Sequence, residues 1–513
     1  MPLMSMLVLA PVAGAMLILF LVPEDRHDLI RRTGLTAAVI PLLTACYLFC
    51  NYDLEAGGYQ FQEKYEWCSA LGISFHLGVD GINLVLVLLT SICSFAGVWL
   101  SFSVRERVKE FFIFYLALVT GCLGVLSALD IFFIYFFYET AVIPVYPLIG
   151  VWGSGRKEYA TMKLTLYLTA GAVLALTGLI WLYTAAGLHS FDLVELEKHL
   201  AAHPLDAGLQ RTIFPFIMVG FGVIVTLWPF HSWSPIGYAS APTSVSMLHA
   251  GVLKKLGAYA ILRLAINLLP MGAEHWMPWV AGIAVINIVY CGSVALTQRD
   301  LKYILGYSSC SHMGFIFLGL SSLNTFGING LVFFMFAHGV MAALGFAVVG
   351  WCYEKTHTRM VDELGGLAKV LPFIGTCFML SALASSGVPG FANFPGEFMI
   401  LLGAWDAHPV AAVGGVLGLV ITATYMLKTV RMTLFGPLER HKDIPDAQGL
   451  ARGPYLLLAA ALIFFGFFPS YLMNTIVTGT RPLLERLEHS RSSAAVTVPA
   501  AAVAATQHPE AGR

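Results

Sequence analysis

The stretch WPFHSWSPIGYASAPTSVSMLHAGVLKKLGAY, residues 228–259, places two lysines, Lys254 and Lys255, in an apolar helical segment. The backbone before them is interrupted by helix-breaking residues, namely Pro229, Pro235, Gly237 and Pro242. An ammonium group at bilayer depth costs roughly 2.5–3.5 kcal/mol, and backbone without helical hydrogen bonds is tolerated there only beside protein or water. A chain that keeps both features in one segment is expected to bind or move an ion.

The composition of the whole chain agrees with a membrane location. Of its 513 residues, 58% are hydrophobic and only 12% are charged, and the mean hydropathy is +0.77. These values lie far outside the range of soluble globular proteins and predict a polytopic membrane protein. A formal net charge of -1 and the lack of a basic block argue against nucleic-acid binding. The nine cysteines include no CxxC pair, so we predict neither a disulphide framework nor a metal site.

Apolar windows of about 20 residues, long enough to span a bilayer, number about fourteen. They lie near 3–22, 34–50, 82–103, 110–128, 130–150, 162–186, 212–229, 240–269, 276–297, 302–322, 327–350, 369–404, 410–435 and 452–472. With the first span starting outside, the inner loops hold more than twice as many lysines and arginines as the outer loops, as the positive-inside rule requires. An even number of spans then predicts that both termini lie outside.

A second interrupted span, ASSGVPGFANFPGEFM at residues 384–399, mirrors the first. If each break falls in the fourth helix of a unit, helices four to eight and nine to thirteen form two five-helix repeats of opposite orientation, an architecture of ion and solute transporters. We therefore divide the chain into three N-terminal helices with an outer loop, a first repeat, a second repeat, a last helix and a flexible tail. The boundaries are 1–109, 110–270, 271–436, 437–480 and 481–513. The outer loop, 51–80, alternates aromatic with polar residues and predicts a short β-hairpin.

Ionisable residues inside the predicted spans are the candidate functional groups, because such residues are rare in membranes and usually functional. The main candidates are Glu139, Lys255, His312, His338 and Glu397, and the accessory candidates are Lys254, His231 and His249. A structural role remains the alternative for each. Glu139 or Glu397 would then cap or hydrogen-bond a helix, the histidines would be satisfied core residues, and Lys254 would snorkel or pair. Lys255 continues as a predicted regular helix and should project into the bundle, with Lys254 on a different face.

These motifs resemble a known family, the antiporter-like subunits of bacterial NADH:quinone oxidoreductase (respiratory complex I). The wider family includes subunits of cation/proton antiporters and membrane hydrogenases. The resemblance covers nearly the whole chain and is carried by LGVDGINLVLVLLT, FFYETAVIPVYPLIG, WPFHSW, APTSVSMLHAGVLKKLGAY, QRDLKYILGYSSCSHMGF, FAHGV and GVPGFANFPGEFMILLGA.

The resemblance implies a proton-translocating module of the bacterial inner membrane with no redox centre or cofactor of its own. NADH, FMN, iron–sulphur clusters and quinone would then belong to partner subunits, namely a peripheral NADH-oxidising arm and the other membrane subunits. By motif, Glu139 is similar to the carboxylate of the family's glutamate–lysine switch pair and Lys255 to the central proton-carrying lysine. His312 and His338 are similar to relay residues, and Glu397 to the terminal group near the exit.

One position departs from the family pattern. Seven residues before the histidine of WPFH, where the family usually has the switch-pair lysine, this chain has Ile224. Glu139 then lacks its expected partner, and either Lys254 takes over or the module is driven differently. Three alternatives to a complex I subunit stay open. They are the same fold in a cation/proton antiporter or membrane hydrogenase, a stand-alone solute transporter, and a scaffold that no longer pumps.

Overall fold

The computed structural model describes residues 2–496 and is built almost entirely from helices. The first eight helices are α1 (Leu3–Leu21), α2 (His27–Asn51), α3 (Asn83–Leu100), α4 (Val108–Ser127), α5 (Ile131–Val142), α6 (Val145–Trp152), α7 (Lys157–Ala186) and α8 (Leu193–Ala202). They are followed by α9 (Ala207–Val225), α10 (Trp233–Ser240), α11 (Thr243–Leu248), α12 (Lys254–Ala260), α13 (Pro270–Thr297) and α14 (Leu301–Ser322). The last six are α15 (Thr325–Thr356), α16 (Pro372–Ser385), α17 (Asn393–Ala407), α18 (Pro409–Leu434), α19 (Gly453–Phe467) and α20 (Ser470–Val496).

The predicted helical membrane architecture is confirmed, while the number of spans stays a prediction. Within residues 2–496, 11 helical segments are long and apolar enough to cross a membrane. The three other predicted windows correspond to the π-interrupted segment 243–266, to α14, and to α16 with α17. Helix α15 lies inside the bundle, because its apolar window is wholly buried and it packs against α3, α14, α16, α17 and α19.

Both predicted interruptions are present in the structure. The first separates α9 from α10 at residues 226–232, and the second separates α16 from α17 at residues 386–392. Gly387 and Gly390 in the second break have positive φ angles of 68° and 98°, a conformation that glycine adopts without steric cost. Each break leaves backbone groups outside the helical pattern in the interior of the bundle, where only protein or water can satisfy them.

The segment that bears the lysines is not the regular helix expected from the sequence. A π-helical turn, His249–Leu253, precedes α12, and a second, Ile261–Ile266, follows it. Such turns widen the helix by one residue and often occur at functional sites, yet they carry no distinct sequence pattern. The prediction of regular helix after Lys255 is therefore wrong in geometry, although the segment is helical throughout.

The predicted β-hairpin is confirmed, while its location on the outer side of the membrane stays a prediction. Strands β1 (Gln60–Cys68) and β2 (Ile73–Val79) pair antiparallel at one end of the bundle, which we call the hairpin end. A buried ion pair between Asp80 and Arg263 joins the end of β2 to the segment that bears the lysines, and the Arg263 guanidinium lies over the rings of Tyr59 and Tyr259. The hairpin is thus fixed to the same span that carries Lys255.

The opposite end, which we call the basic end, is closed by contacts among loops 104–107, 152–157, 239–242, 298–303 and 357–366. Arg359 donates a hydrogen bond to the Ala239 carbonyl at 2.5 Å and pairs with Asp300 at 3.1 Å. Lys302 is buried and donates to the Ala241 carbonyl at 2.7 Å. The first interrupted segment is therefore held by the start of α14.

The C-terminal prediction is wrong in part. The sequence analysis ended the last helix at residue 480 and treated 481–513 as a flexible tail, but α20 runs from Ser470 to Val496. Its buried residues include a stripe that recurs every three or four positions and packs across the hairpin end. This stripe consists of Leu472, Ile476, Thr480, Leu483 and Leu487. This amphipathic pattern is too polar to register as a span, which explains the error. Residues 497–513 lie outside the described part of the chain.

A carboxylate clamp holds β1 and β2 against the N-terminus of α8. Asp192 accepts from Lys64 Nζ at 2.7 Å and from His76 Nδ1 at 2.8 Å, and it caps α8 through the backbone amides of Val194 and Glu195. Burial raises the pKa of Asp192, but the hydrogen bonds from His76 and Lys64 outweigh burial and lower the pKa to about 2. The ionised carboxylate therefore stabilises the hairpin end.

We expect Asp192→Asn to release the hairpin at pH 7. Protease cleavage within β1 and β2 should accelerate on the order of tenfold, because hydrogen bonds to charged groups contribute about 1.5–3 kcal/mol. In the unsubstituted protein the folded pKa lies below the unfolded value of about 3.9. The stabilisation is therefore complete above pH ~4 and is lost as the pH falls toward 2. Cleavage rates in membranes that expose the hairpin end measure this effect.

The matched control is Glu195→Gln, since Glu195 also pairs with Lys64, at 2.8 Å, but is half-exposed and does not contact His76. Cleavage that accelerates equally in both variants would contradict a specific role for Asp192.

Candidate functional site

Four ionisable side chains from four different spans meet in the interior, and we call them the central cluster: Lys255, His338, His312 and Glu397. Lys255 lies in α12 and is 1% exposed. Its Nζ donates to the Ala250 carbonyl, within the preceding π turn, and lies 2.8 Å from His338 Nδ1 on α15. An ammonium group with one carbonyl and one imidazole nitrogen as acceptors can pass a proton to that nitrogen.

Two glycines allow α15 to approach the segment that bears Lys255. A Cβ atom on Gly339 would lie 2.6 Å from the Gly251 carbonyl oxygen, and one on Gly251 would lie 3.1 Å from the Gly339 carbonyl oxygen. Larger residues at these positions would force the two helices apart. This close approach sets the separation across which Lys255 reaches His338.

The two histidines of the central cluster lie next to each other on α14 and α15. The ring centroids of His312 and His338 are 5.1 Å apart. His338 Nε2 is buried and has no hydrogen-bond partner within residues 2–496. His312 presents Nδ1 to the Ser308 carbonyl at 2.8 Å and Nε2 to the Ser385 carbonyl at 3.2 Å. Since carbonyls only accept, a doubly protonated His312 satisfies both contacts, whereas a neutral ring satisfies one.

Glu397 lies at the far end of the cluster, beside the second break. Its Oε1 atom is 3.9 Å from His312 Nε2, and the side chain is 1% exposed. Neither carboxylate oxygen has a hydrogen-bond partner in the described part of the chain. The carboxylate lies against Gly387, where an added Cβ would be 2.6 Å from Oε2. A buried carboxylate without partners is costly, so this position is a candidate for proton uptake from His312.

Lys254 points away from the central cluster. Its Nζ lies 3.2 Å from Ser309 Oγ and 3.6 Å from Cys310 Sγ on α14, and 4.8 Å from the centre of the Tyr238 ring. Cys310 in turn contacts Ser234 on α10 at 3.6 Å. The two adjacent lysines therefore serve different neighbours, as their helical offset predicts.

The two accessory histidines lie on either side of α10. The His231 ring packs against Tyr290, and the His249 ring packs against Tyr238, with centroid distances of 5.5 and 5.8 Å. Neither nitrogen of His249 has a hydrogen-bond partner within residues 2–496. Neither histidine contacts the central cluster directly. Across the described residues, no group of three or more His, Cys, Asp or Glu side chains is placed to hold a metal ion.

Glu139 is the one main candidate that the structure does not bring to the cluster. It is half-buried on α5, beside Tyr135 and Tyr138, and belongs to no ion pair within residues 2–496. Ile224 on α9 is fully buried and fills the space next to Gly257, where an added Cβ would lie 2.4 Å from Ile224 Cγ2. An apolar contact thus occupies the place where the resemblance predicts a lysine, and Lys254 makes its contacts elsewhere.

Sequence reasoning missed a row of polar residues on α18. Its buried face carries Thr422, Tyr425, Thr429 and Thr433, spaced three or four residues apart. The Tyr425 hydroxyl donates to Ser308 Oγ at 2.8 Å, and Ser308 Oγ lies 3.4 Å from His312 Nδ1. The signal was the spacing of these hydroxyls, but threonine and tyrosine are common in membrane helices and do not stand out as charged residues do.

The fold that holds the central cluster belongs to a known class of membrane protein. A family model described as "NADH:quinone oxidoreductase/Mrp antiporter, TM" matches residues 128–422, more than half of the chain. The chain therefore belongs to this family, and it is a multi-pass membrane protein.

Similar proteins cover almost the entire chain. NADH-quinone oxidoreductase subunit M of Rickettsia typhi is 33% identical over 94% of this chain and 99% of that protein. A chain of respiratory complex I from Thermus thermophilus with bound NADH has 28% identity and a TM-score of 0.86, over 94% of this chain and 98% of that chain. A chain of the Mrp complex from Dietzia sp. shares the fold, with a TM-score of 0.83 and 18% identity over 94% of this chain and 98% of that chain.

Proposed function

We propose that this chain is a proton-translocating membrane subunit of a bacterial NADH:quinone oxidoreductase. The observation that carries the proposal is the central cluster, in which Lys255, His338, His312 and Glu397 lie next to one another in this order inside the helical bundle. The family membership and the close likeness to subunit M proteins support the choice of complex. The Mrp antiporter remains the second candidate, supported by the matching family model, which also covers Mrp antiporters, and by a likeness of fold.

The first step is proton transfer from Lys255 to His338. The 2.8 Å contact between Nζ and Nδ1 lies within the reach required for direct transfer. A neutral Lys255 amine donates a weaker hydrogen bond to the Ala250 carbonyl than the ammonium does. The carbonyl therefore favours the return of a proton to Lys255. His338 holds the proton because imidazole changes protonation state at low cost.

The second step moves the proton toward Glu397 through His312. Protonated His312 is held by the Ser308 and Ser385 carbonyls and by the charge of Glu397 at 3.9 Å. Glu397, which lies against the second break, would then accept the proton and release it toward the hairpin end. Water or a small side-chain movement must close the distance from His338 to His312, since their rings are adjacent but not hydrogen-bonded.

The energy for transfer would come from partner subunits, which carry the NADH, flavin, iron–sulphur and quinone chemistry. We place the chain in the bacterial inner membrane with the basic end inside and the hairpin end outside, because lysines and arginines concentrate at the basic end. We also propose that residues 110–270 and 271–436 are two inverted repeats. Each contains one interrupted helix, and the central cluster draws residues from both.

The absence of a lysine at Ile224 changes how such a module would be driven. In the proposal, Glu139 acts from the edge of α5, and Lys254 does not replace the missing lysine because it is bound to Ser309 and Cys310. The protonation of Lys255 would then be controlled by the protonation state or position of neighbouring residues on the same span. The scaffold alternative predicts instead that the central cluster carries no protons.

Lys255→Ala tests the proposal directly. We expect coupled proton translocation to be abolished in the purified complex reconstituted in vesicles, because the first donor of the cluster is lost, while the complex still assembles. NADH-driven acidification of the vesicles, normalised to the assembled complex, measures the effect. Lys254→Ala is the matched comparison, an adjacent buried lysine outside the cluster, and should retain more translocation than Lys255→Ala. Unchanged pumping in Lys255→Ala would remove this lysine from the pathway.

Glu397→Gln tests the terminal group. The substitution keeps the shape of the side chain but removes its proton-accepting carboxylate. Proton transfer should therefore slow on the order of 10²-fold or more, within the range for a positioned acid or base. Glu354→Gln serves as control, since Glu354 is a half-exposed carboxylate at the basic end that pairs with Lys355. Wild-type proton flux in Glu397→Gln would instead assign this residue a structural role at the second break.

A further inference from the structure

A cavity opens between α13, α14 and α18 at the basic end, and we call it the basic-end cavity. Its volume is about 230 Å³, far above the ~10–15 Å³ that one water molecule needs. Charged and polar side chains line it, including Arg299, Asp362, Lys428 and Thr429. A water-filled cavity of this kind would bring solvent from the basic end into the bundle beside α14, the helix that carries Ser308 and His312.

The inner wall of the basic-end cavity is formed by Tyr425, which is 1% exposed. Its hydroxyl donates to Ser308 Oγ at 2.8 Å and lies 3.3 Å from Thr422 Oγ1. Ser308 Oγ lies 3.4 Å from His312 Nδ1. The hydroxyl groups of Tyr425 and Ser308 therefore connect the cavity to His312.

We propose that Tyr425 and Ser308 are proton-relay residues through which His312 is loaded from the basic-end cavity. This inference rests on the proposed function of the central cluster and adds a second entrance to it. His312 then receives protons without passage through Lys255 and His338, so that the second half of the bundle has its own supply.

The transfer balances as a concerted shift along the hydroxyls. A protonated water in the cavity gives a proton to the Tyr425 oxygen while the Tyr425 hydroxyl proton moves to Ser308 Oγ. The Ser308 hydroxyl proton moves to His312 Nδ1, and both hydroxyls are restored. One proton enters and no bond to carbon changes.

The surroundings of His312 fit both ends of this step. Before transfer, neutral His312 donates from Nε2 to the Ser385 carbonyl at 3.2 Å, which leaves Nδ1 free to accept from Ser308 Oγ. After transfer, Nδ1–H donates to the Ser308 carbonyl at 2.8 Å, and the cation lies 3.9 Å from Glu397. Ser308 thus offers its hydroxyl to the neutral ring and its carbonyl to the charged ring.

Tyr425→Phe and Ser308→Ala test the relay in the intact complex reconstituted in vesicles. Each variant removes one hydroxyl and keeps the rest of the side chain. We expect NADH-driven proton translocation to fall by about tenfold or more, since a positioned proton donor contributes on the order of 10²–10⁴ in rate. The hydrogen/deuterium solvent isotope effect on the remaining flux should also change, which a loss of packing alone would not cause.

The controls are matched by chemistry and burial. Tyr455→Phe removes the hydroxyl of another buried tyrosine, and within residues 2–496 that hydroxyl hydrogen-bonds only to the Ala347 carbonyl, at 3.4 Å. Ser311→Ala removes a buried hydroxyl one turn from Ser308 that donates to the Ile288 carbonyl. Both controls should pump like the unsubstituted complex.

The outcomes separate the relay from the proposed function. Normal pumping in Tyr425→Phe and Ser308→Ala, together with loss of pumping in Lys255→Ala, would overturn the relay and leave the central cluster in place. Normal pumping in all three would overturn the proposed function and the relay with it. If Tyr425→Phe fails to assemble, Ser308→Ala decides, because a serine-to-alanine change in α14 hardly alters packing. Equal losses in the relay variants and their controls would also overturn the relay.

Discussion

The buried contact between Lys255 and His338 is the constraint on which the rest of the structure depends. A cation inside an apolar bundle persists only where acceptors replace water, and this lysine finds them in the Ala250 carbonyl and in His338 Nδ1. The π turn at His249–Leu253 and the close approach of Gly251 and Gly339 place both acceptors within reach. The irregular backbone therefore provides acceptors for the Lys255 ammonium group that a regular helix would not provide. Helix α15 must remain beside this segment to keep the contact with His338.

The two interrupted helices serve the same end by different means. Helix α10, which follows the first break, is held at its C-terminal end, where Arg359 and Lys302 donate to the backbone carbonyls of Ala239 and Ala241. At the second break, Gly387 leaves space for the carboxylate of Glu397, whose oxygens have no hydrogen-bond partner among residues 2–496. One break is tied down and the other adjoins an unsatisfied acid. In the proposed pathway, a proton on His312 would therefore move toward Glu397 at the second break.

Much of the fold and part of the site could be predicted from the sequence, because membranes penalise ionisable groups and broken backbone strongly. That penalty singled out Lys255, His312, His338 and Glu397, and it located both breaks. It could not find Tyr425, whose hydroxyl is tolerated in lipid-facing spans, nor the π turns, which depend on tertiary packing. The full length of α20 was not predicted, because an apolar stripe of one residue in three or four is too weak a signal for a membrane span. The partners of Lys254 and Lys255 could also not be predicted from the sequence, because neighbouring residues on one helix face different parts of the bundle.

The replacement of the family's switch lysine by Ile224 bears on how these parts cooperate. Ile224 packs against Gly257 and so seals the space between α9 and the span of Lys255 with apolar contact. In the proposed mechanism, a charge at Glu139 would then act on Lys255 without the lysine that the resemblance predicts at position 224, so the link between the two groups would be weakened. If His312 is loaded separately through Tyr425 and Ser308, the second half of the bundle does not depend on that weakened link. The loss at position 224 would then reduce the control of Lys255 without stopping the supply of protons to Glu397.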